Sequence, residues 1–245
     1  MKITIVVPAY NSMKYLEECI NSVLAQDYSD YEVWACDNES TDGTYEYLLN
    51  LEKDHENLKV MQFPNIYKNG YPEAWKYVFE NAGTDYITFV ATDDYIATDY
   101  ISKCMKIISY NPEKIKCLQS GIIGIQNGAR INEQVHYYKS ITDFKQQCMV
   151  RSPVNTPTVI YHKSLYPFLV RSALIENGLE DDGPGDYDMY CNLADNNIFI
   201  YPVNKQLGYY YRWHEEQSTW KIHNDPVLST YHNIIKEFWK KKWTL

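Results

Sequence analysis

An α/β fold built on a mostly parallel sheet is what this sequence predicts, and three observations predict it. Runs of β-branched and aromatic residues alternate with helical patterns through the first hundred residues, the grammar of successive βαβ units. The runs are continuously apolar rather than alternating, as in strands covered on both faces. Each ends in polar loop residues, and in an open parallel sheet such strand exits gather along one edge, where ligands bind. The plainest case is YITFVATDD at residues 86–94, an apolar run that stops at two adjacent carboxylates, Asp93 and Asp94. Alone, the pair reads more simply as an Asp-rich turn before a helix.

Taken in order, residues 3–7 form the first strand, and Pro8 ends it because proline cannot continue a central ladder. Leu16, Cys19, Ile20, Val23 and Leu24 then recur at helical spacing, with Asn11 or Ser12 placed to cap the helix start. Residues 31–36 give a second strand that exits at Asp37, and turn residues 38–43 lead into a helix carrying Tyr45, Leu48 and Leu49. A third strand is expected at 58–63, with Pro72 at the first position of a third helix that turns Trp75, Val78, Phe79 and Ala82 inward. Beyond Pro112 the pattern predicts strands at 117–125 and 135–139, helices at 141–150 and 165–176, and a helix starting at Gly185 or Asp186. Two strands, 198–203 and 208–213, and an amphipathic helix, 227–243, complete the chain. With no repeat or linker, the expectation is one domain over 1–245.

Composition narrows the function classes. The net charge of −9 and the absence of a basic stripe argue against nucleic acid as a partner. An acidic protein that binds an anionic ligand needs a metal or backbone N–H groups to offset the repulsion. The six cysteines show no metal-site spacing and read as buried, reduced thiols of a cytoplasmic protein. The N-terminal apolar run is too short for a signal segment, and no stretch of about 18 apolar residues would span a membrane.

The segment IVVPAYNSMKYLEECINSVLAQDYSDYEVWACDNESTDGT resembles the N-terminal signature of family 2 glycosyltransferases, and Asn69-Gly70, the TDD motif at Asp93, GDYDMYCNLA and YYYRWHEEQST continue the likeness. The resemblance implies a GT-A, Rossmann-like fold, with a nucleotide-binding half over 1–115, an acceptor half over 116–220 and a C-terminal helix over 221–245. It implies an inverting transfer of a sugar from a nucleoside diphosphate, most simply UDP, to a hydroxyl of a glycan or glycolipid. Pro8, Ala9, Tyr10, Asn11, Asp37, Ser40, Gly70, Thr92 and Asp93 would then hold the nucleotide. A carboxylate such as Asp37 suits the N–H edge of a uracil-type base. Asp93 matches the last acid of the DxD motif and, with His214, would bind Mn²⁺ or Mg²⁺, which favour carboxylate, phosphate and water oxygens. Asp186 matches the general base, and Asp94, Asp182 and Tyr187 are placed on the acceptor side.

The sequence departs from the family pattern twice: Ala91 replaces the first acid of DxD and Gly185 replaces a Glu. Those losses leave open a non-catalytic glycan-binding or scaffold protein on the same fold. A nucleotidyltransferase is a further alternative, but PAYNSMKY has no glycine for a triphosphate loop. The tail, FWKKKW at 238–243, has two readings. One is peripheral contact with the inner face of a membrane through aromatics and lysines. The other is a helix that packs its apolar face on the domain.

Overall fold

The computed structural model describes residues 1–65, 67–68, 71–179, 184–217 and 224–244. Its main sheet opens with β1 (Ile3–Ala9), β2 (Tyr31–Asp37), β3 (Leu58–Gln62) and β6 (Tyr86–Phe89), all mutually parallel. A short β4/β5 hairpin (Tyr67–Lys68 and Tyr71–Pro72) stands apart. The sheet continues through β7 (Tyr95–Ile96), β8 (Cys117–Gln126), β9 (Ala129–Gln134), β10 (Ile160–His162) and β11 (Ile200–Arg212). The order is β3-β2-β1-β6-β10-β8-β11-β7, with β9 attached to β8. β10 runs antiparallel to both β6 and β8, so β8 and its parallel partner β11 point the same way as β1.

Both faces of the sheet are covered at β1, β2 and β6, which is why these strands read as apolar runs. In β1, Ile3, Ile5 and Val7 pack with Leu16, Cys19, Ile20 and Val23 of α1 (Met13–Leu24) and with Ile101, Cys104 and Ile108 of α4 (Tyr100–Ser109). Leu48 of α2 (Thr44–Glu52) joins that face. Val6 points the other way, into a core shared with α3 (Glu73–Asn81), α5 (Ile141–Cys148), α7 (Gly185–Asp195) and α8 (Leu228–Trp243). All six cysteines are buried and none is in a disulfide.

The chain departs from expectation in several places. The strand expected at 135–139 lies earlier, as β9, whose residues are all exposed, so no apolar alternation marks it. The helix expected at 165–176 divides into a 3₁₀ segment, Lys163–Phe168, which contains Pro167, and a short α6 (Ser172–Glu176). The two strands expected between 198 and 213 are one long strand, β11, with register irregularities between Pro202 and Tyr209. Pro72 ends β5, and α3 begins one residue later, at Glu73.

The C-terminal helix is part of the core. Ile235 and Trp239 are fully buried, the Trp239 indole N–H donates to Asp188 Oδ1 at 2.6 Å, and the Trp243 indole donates to Asp195 Oδ1 at 3.0 Å. Its apolar face is therefore occupied by the domain, and Lys242 pairs with Asp195 at 2.9 Å. No helix among the described residues is long and apolar enough to cross a membrane.

Candidate functional site

The shared strand direction brings the exits of β1, β2, β3, β6 and β11 to one edge of the sheet, as parallel topology requires. β10 is antiparallel and enters the sheet at that same edge, with Ile160 opposite Thr88. Residues 155–159, just before it, therefore lie beside the end of β6.

The exits of β1 and β2 are tied together. Asn11 adopts a left-handed backbone (φ 48°), which asparagine tolerates better than most residues. From there its side-chain oxygen accepts from Thr41 N–H at 2.8 Å, and its N–H donates to Ser40 Oγ at 2.9 Å. Ser12 and Asn11 do not cap α1 with their side chains. Asp42 does that work: Oδ2 accepts from Met13 N–H at 3.1 Å and Oδ1 accepts from the Thr44 hydroxyl at 2.6 Å. Burial acts against the charge of Asp42, but the bonds from Thr44 and Met13 together outweigh it and hold the carboxyl below its ordinary value.

Asp37 is fully buried at the end of β2. Its Oδ2 accepts from Ser40 N–H at 3.1 Å and from the Gln62 amide at 3.0 Å. Its Oδ1, like Asn38 Oδ1, is buried with no hydrogen-bond partner among the described residues. A buried carboxylate oxygen left unmatched is costly, so this one calls for a donor, whether a water or a ligand. Tyr10, at the neighbouring exit, is an exposed aromatic, 54% accessible. Thr92 donates to Ser12 Oγ at 2.9 Å, linking the end of β6 to the β1 loop.

The two acids of the 93–94 pair have different environments. Asp94 is buried, and its oxygens accept from Tyr209 OH and from Arg212 N–H, each at 2.9 Å. Burial, and then the charge of Asp93, push its pKa well above the ordinary carboxylate value. It fixes β11 against the 91–94 turn, a structural placement in contrast to the acceptor contact expected for it. Asp93 remains partly accessible, and His214 Nε2 lies 3.0 Å from its Oδ2. His214 Nδ1 is buried without a hydrogen-bond partner among the described residues, and the Tyr15 ring stands 5.2 Å from the imidazole.

No group of three or more His, Cys, Asp or Glu side chains among the described residues forms a metal cage. The Asp93–His214 pair nevertheless fits two corners of one. Adjacent ligand atoms on an octahedral ion with bonds of about 2.1 Å stand about 3.0 Å apart, and a carboxylate is a ligand that suits Mn²⁺.

Asp186 lies in the first turn of α7 and is exposed. Oδ2 accepts a short hydrogen bond from Thr156 Oγ1, and Oδ1 accepts from Tyr187 N–H at 2.8 Å. Thr156 belongs to the segment before β10, so this bond draws the start of α7 to the ligand edge. Asp186 and Thr156 line a cleft of about 370 Å³ with Asn155, Tyr187, Tyr211 and Trp213. Tyr187 contributes to that wall but is otherwise buried, its hydroxyl donating to the Cys148 carbonyl. Asp188 is turned fully inward, between Leu174 N–H at 2.9 Å and Trp239, and burial raises its pKa.

The edge thus brings together the expected residues Ala9, Tyr10, Asn11, Asp37, Ser40, Thr92, Asp93 and His214. Gly70 and Asp182 lie outside the described residues, and Pro8 sits within β1, paired in register with Cys36. Thr156, Asn155 and Trp213 were not singled out by sequence. Trp213 adjoins His214 in a matched motif, whereas nothing local marks Thr156.

Comparison with known proteins agrees with this architecture. Residues 4–171 match the model of Glycosyl transferase family 2. The chondroitin synthase of Pasteurella multocida is 24% identical over 199 residues, covering 80% of this chain and 19% of that protein. The poly(ribitol-phosphate) beta-glucosyltransferase of Bacillus spizizenii is 33% identical over 118 residues, 47% of this chain and 18% of that one. The matched segments thus span less than a fifth of the length of each of these two relatives. Among solved structures, S. aureus TarS 1-349 in complex with UDP-GlcNAc superposes with a TM-score of 0.67 at 21% identity, over 100% of this chain and 73% of that one. The mannosyltransferase PcManGT from Pyrobaculum calidifontis, with GDP-Man and Mn²⁺, gives a TM-score of 0.59 at 17% identity, over 90% and 60% of the two chains. The curled, mostly parallel sheet is that of GT-A structures, and the family match covers well over half the sequence: this chain belongs to glycosyltransferase family 2.

Proposed function

We propose that the chain transfers a sugar from a nucleoside diphosphate, UDP in the simplest reading, to a hydroxyl of a glycan or glycolipid, with inversion at the anomeric carbon. The observation that carries this is the pairing of Asp93 with His214 at 3.0 Å, 121 residues apart in sequence, on the edge where Asp37 has a buried oxygen unmatched among the described residues. In this reading residues 1–115 serve the nucleotide and 116–220 the acceptor. Asp37 Oδ1 accepts an N–H of the base, and the 9–12 loop, with exposed Tyr10, encloses it.

Asp93 and His214 would hold Mn²⁺ or Mg²⁺. A divalent ion there supplies positive charge that offsets the negative charge developing on the departing diphosphate. Asp186 is the general base. Held by Thr156 and by Tyr187 N–H, its carboxylate faces the cleft and takes the proton of the acceptor hydroxyl as that oxygen bonds to the anomeric carbon. The bond from that carbon to the diphosphate oxygen breaks, and the diphosphate leaves with the electron pair. Tyr211 and Trp213 give the cleft aromatic walls suited to a sugar ring. Membrane contact, where the acceptor is lipid-linked, would use the exposed Lys240 and Lys241, since Trp239 is buried in the domain.

The test is hydrolysis of UDP-sugars by the full chain with and without Mn²⁺. Metal-dependent release of UDP is expected, and it should disappear in Asp93→Asn, whose amide keeps the shape of the carboxylate without its charge. Release that is absent with every nucleotide sugar would favour the non-catalytic alternative.

A further inference from the structure

We propose that Arg212 is a positioning residue: braced by Glu18 and Tyr15 of α1, it sets the 91–94 turn so that Asp93 meets His214 in the geometry a divalent ion needs. The inference rests on the metal reading of that pair. A free arginine at the end of β11 would suit a phosphate, but the structure gives its donors other work. The Arg212 N–H holds Asp94 Oδ1 at 2.9 Å, and Nε–H donates to the Asp93 carbonyl at 2.7 Å. One residue therefore grips both acids of the turn, one through its side chain and the other through its backbone. Nη2 pairs closely with Glu18 Oε2. The guanidinium lies 4.6 Å from the centre of the Tyr15 ring and 5.7 Å from that of Tyr95.

The same residues reach His214. Tyr15, beneath the guanidinium, is also the ring beside the imidazole. The Gln217 amide donates to the Arg212 carbonyl, and its oxygen accepts from His214 N–H at 3.3 Å. Lys14 pairs with Glu216 at 3.0 Å, a second tie from α1 to this segment. The first turns of α1 thus grip both partners of the pair, and α1 itself begins at the β1 loop. The arrangement matches the way outer hydrogen-bond partners orient metal ligands, whose loss costs about 10- to 100-fold in metal affinity.

Glu18 is the informative position, because its side chain is 56% exposed and Glu18→Gln leaves the core untouched. The experiment measures Mn²⁺ binding to the full chain by electron paramagnetic resonance in saturating UDP, and UDP binding without metal by calorimetry, for Glu18→Gln, Arg212→Lys and the double variant. Both single variants should weaken Mn²⁺ binding by about tenfold, leave metal-free UDP binding unchanged and keep a cooperative thermal transition. The double variant should be no weaker than Arg212→Lys alone, since the two residues act in one chain of contacts. Unchanged Mn²⁺ affinity in Glu18→Gln overturns the proposal. So does tighter metal-free UDP binding in that variant, the signature of an arginine released to serve phosphate. If the unaltered chain binds UDP but no Mn²⁺, the metal reading fails and the proposal fails with it; if only the variants behave like the unaltered chain, the metal reading stands alone.

Discussion

At Gly185 there is no room for a side chain. A Cβ built there would lie 2.4 Å from Arg171 Cδ and 2.6 Å from its Nη1, and Arg171 is only 4% exposed. Where the resemblance implies a Glu before the proposed base, Gly185 leaves its place to the buried Arg171, which packs against the helix start beside Asp186. Gly185→Glu should lower stability by about 1–3 kcal/mol, the usual cost of overpacking, and a denaturant melt would measure it. A variant as stable as the original would mean that Arg171 moves aside freely. The same scale separates Asp93 from Asp94. They look equivalent in the sequence, yet one faces the edge and the other is held by Tyr209 and Arg212, residues more than a hundred positions later. No local pattern distinguishes them, because burial is decided by what packs on top.

Among the elements, α8 has the clearest energetic role. Trp239 satisfies the buried Asp188 carboxylate that also receives Leu174 N–H, joining α8, α7 and α6 through one acid. Trp239→Phe keeps most of the apolar contact and removes the donor, and should cost about 1–3 kcal/mol for the carboxylate left short of a partner. Trp239→Ala should cost about 3–5 kcal/mol. A loss well below 1 kcal/mol in both would show that the helix is not anchored in this way. How far such elements can be read in advance depends on burial. The strands β1, β2 and β6 were legible because the sheet is covered on both faces there, leaving apolar runs ended by polar exits. In β9, ARINEQ is exposed throughout and carries no period to read. Within β11 the polar Asn204-Lys205 and Gly208 (φ 112°) resemble a turn between two strands, whereas they mark irregularities within one. The site followed the same rule: positions at strand exits could be placed from topology, while Thr156 and Arg212 act through contacts that only the folded chain creates.

For the whole molecule, acid should act on stability through its buried histidine. His136 is 8% exposed, and burial, followed by the charge of Arg151, lowers its pKa despite an opposing bond from Asn155. Between that lowered value and the ordinary one of about 6.5 the unfolded chain binds more protons than the folded chain, so stability rises with pH. It is therefore lost as pH falls below about 6.5. Asp94 and Asp188, raised by burial, act in the opposite sense, since the folded chain takes up their protons first. His136→Gln should accordingly flatten the decline between neutral pH and about pH 5 in melts across a pH series. An unaltered slope would show that other groups control it. The proposed function depends on the molecule as a whole in another way: the 9–12 and 37–42 loops proposed for the nucleotide, the Asp93–His214 pair and Asp186 come from distant parts of the chain and meet only at the sheet edge. The most direct measurement of that account compares UDP affinity in Mn²⁺ with turnover in Asp186→Asn. Unchanged UDP and Mn²⁺ binding with turnover lower by roughly 10²- to 10⁴-fold, the usual share of a general base, is the predicted result; turnover that survives the substitution would contradict it.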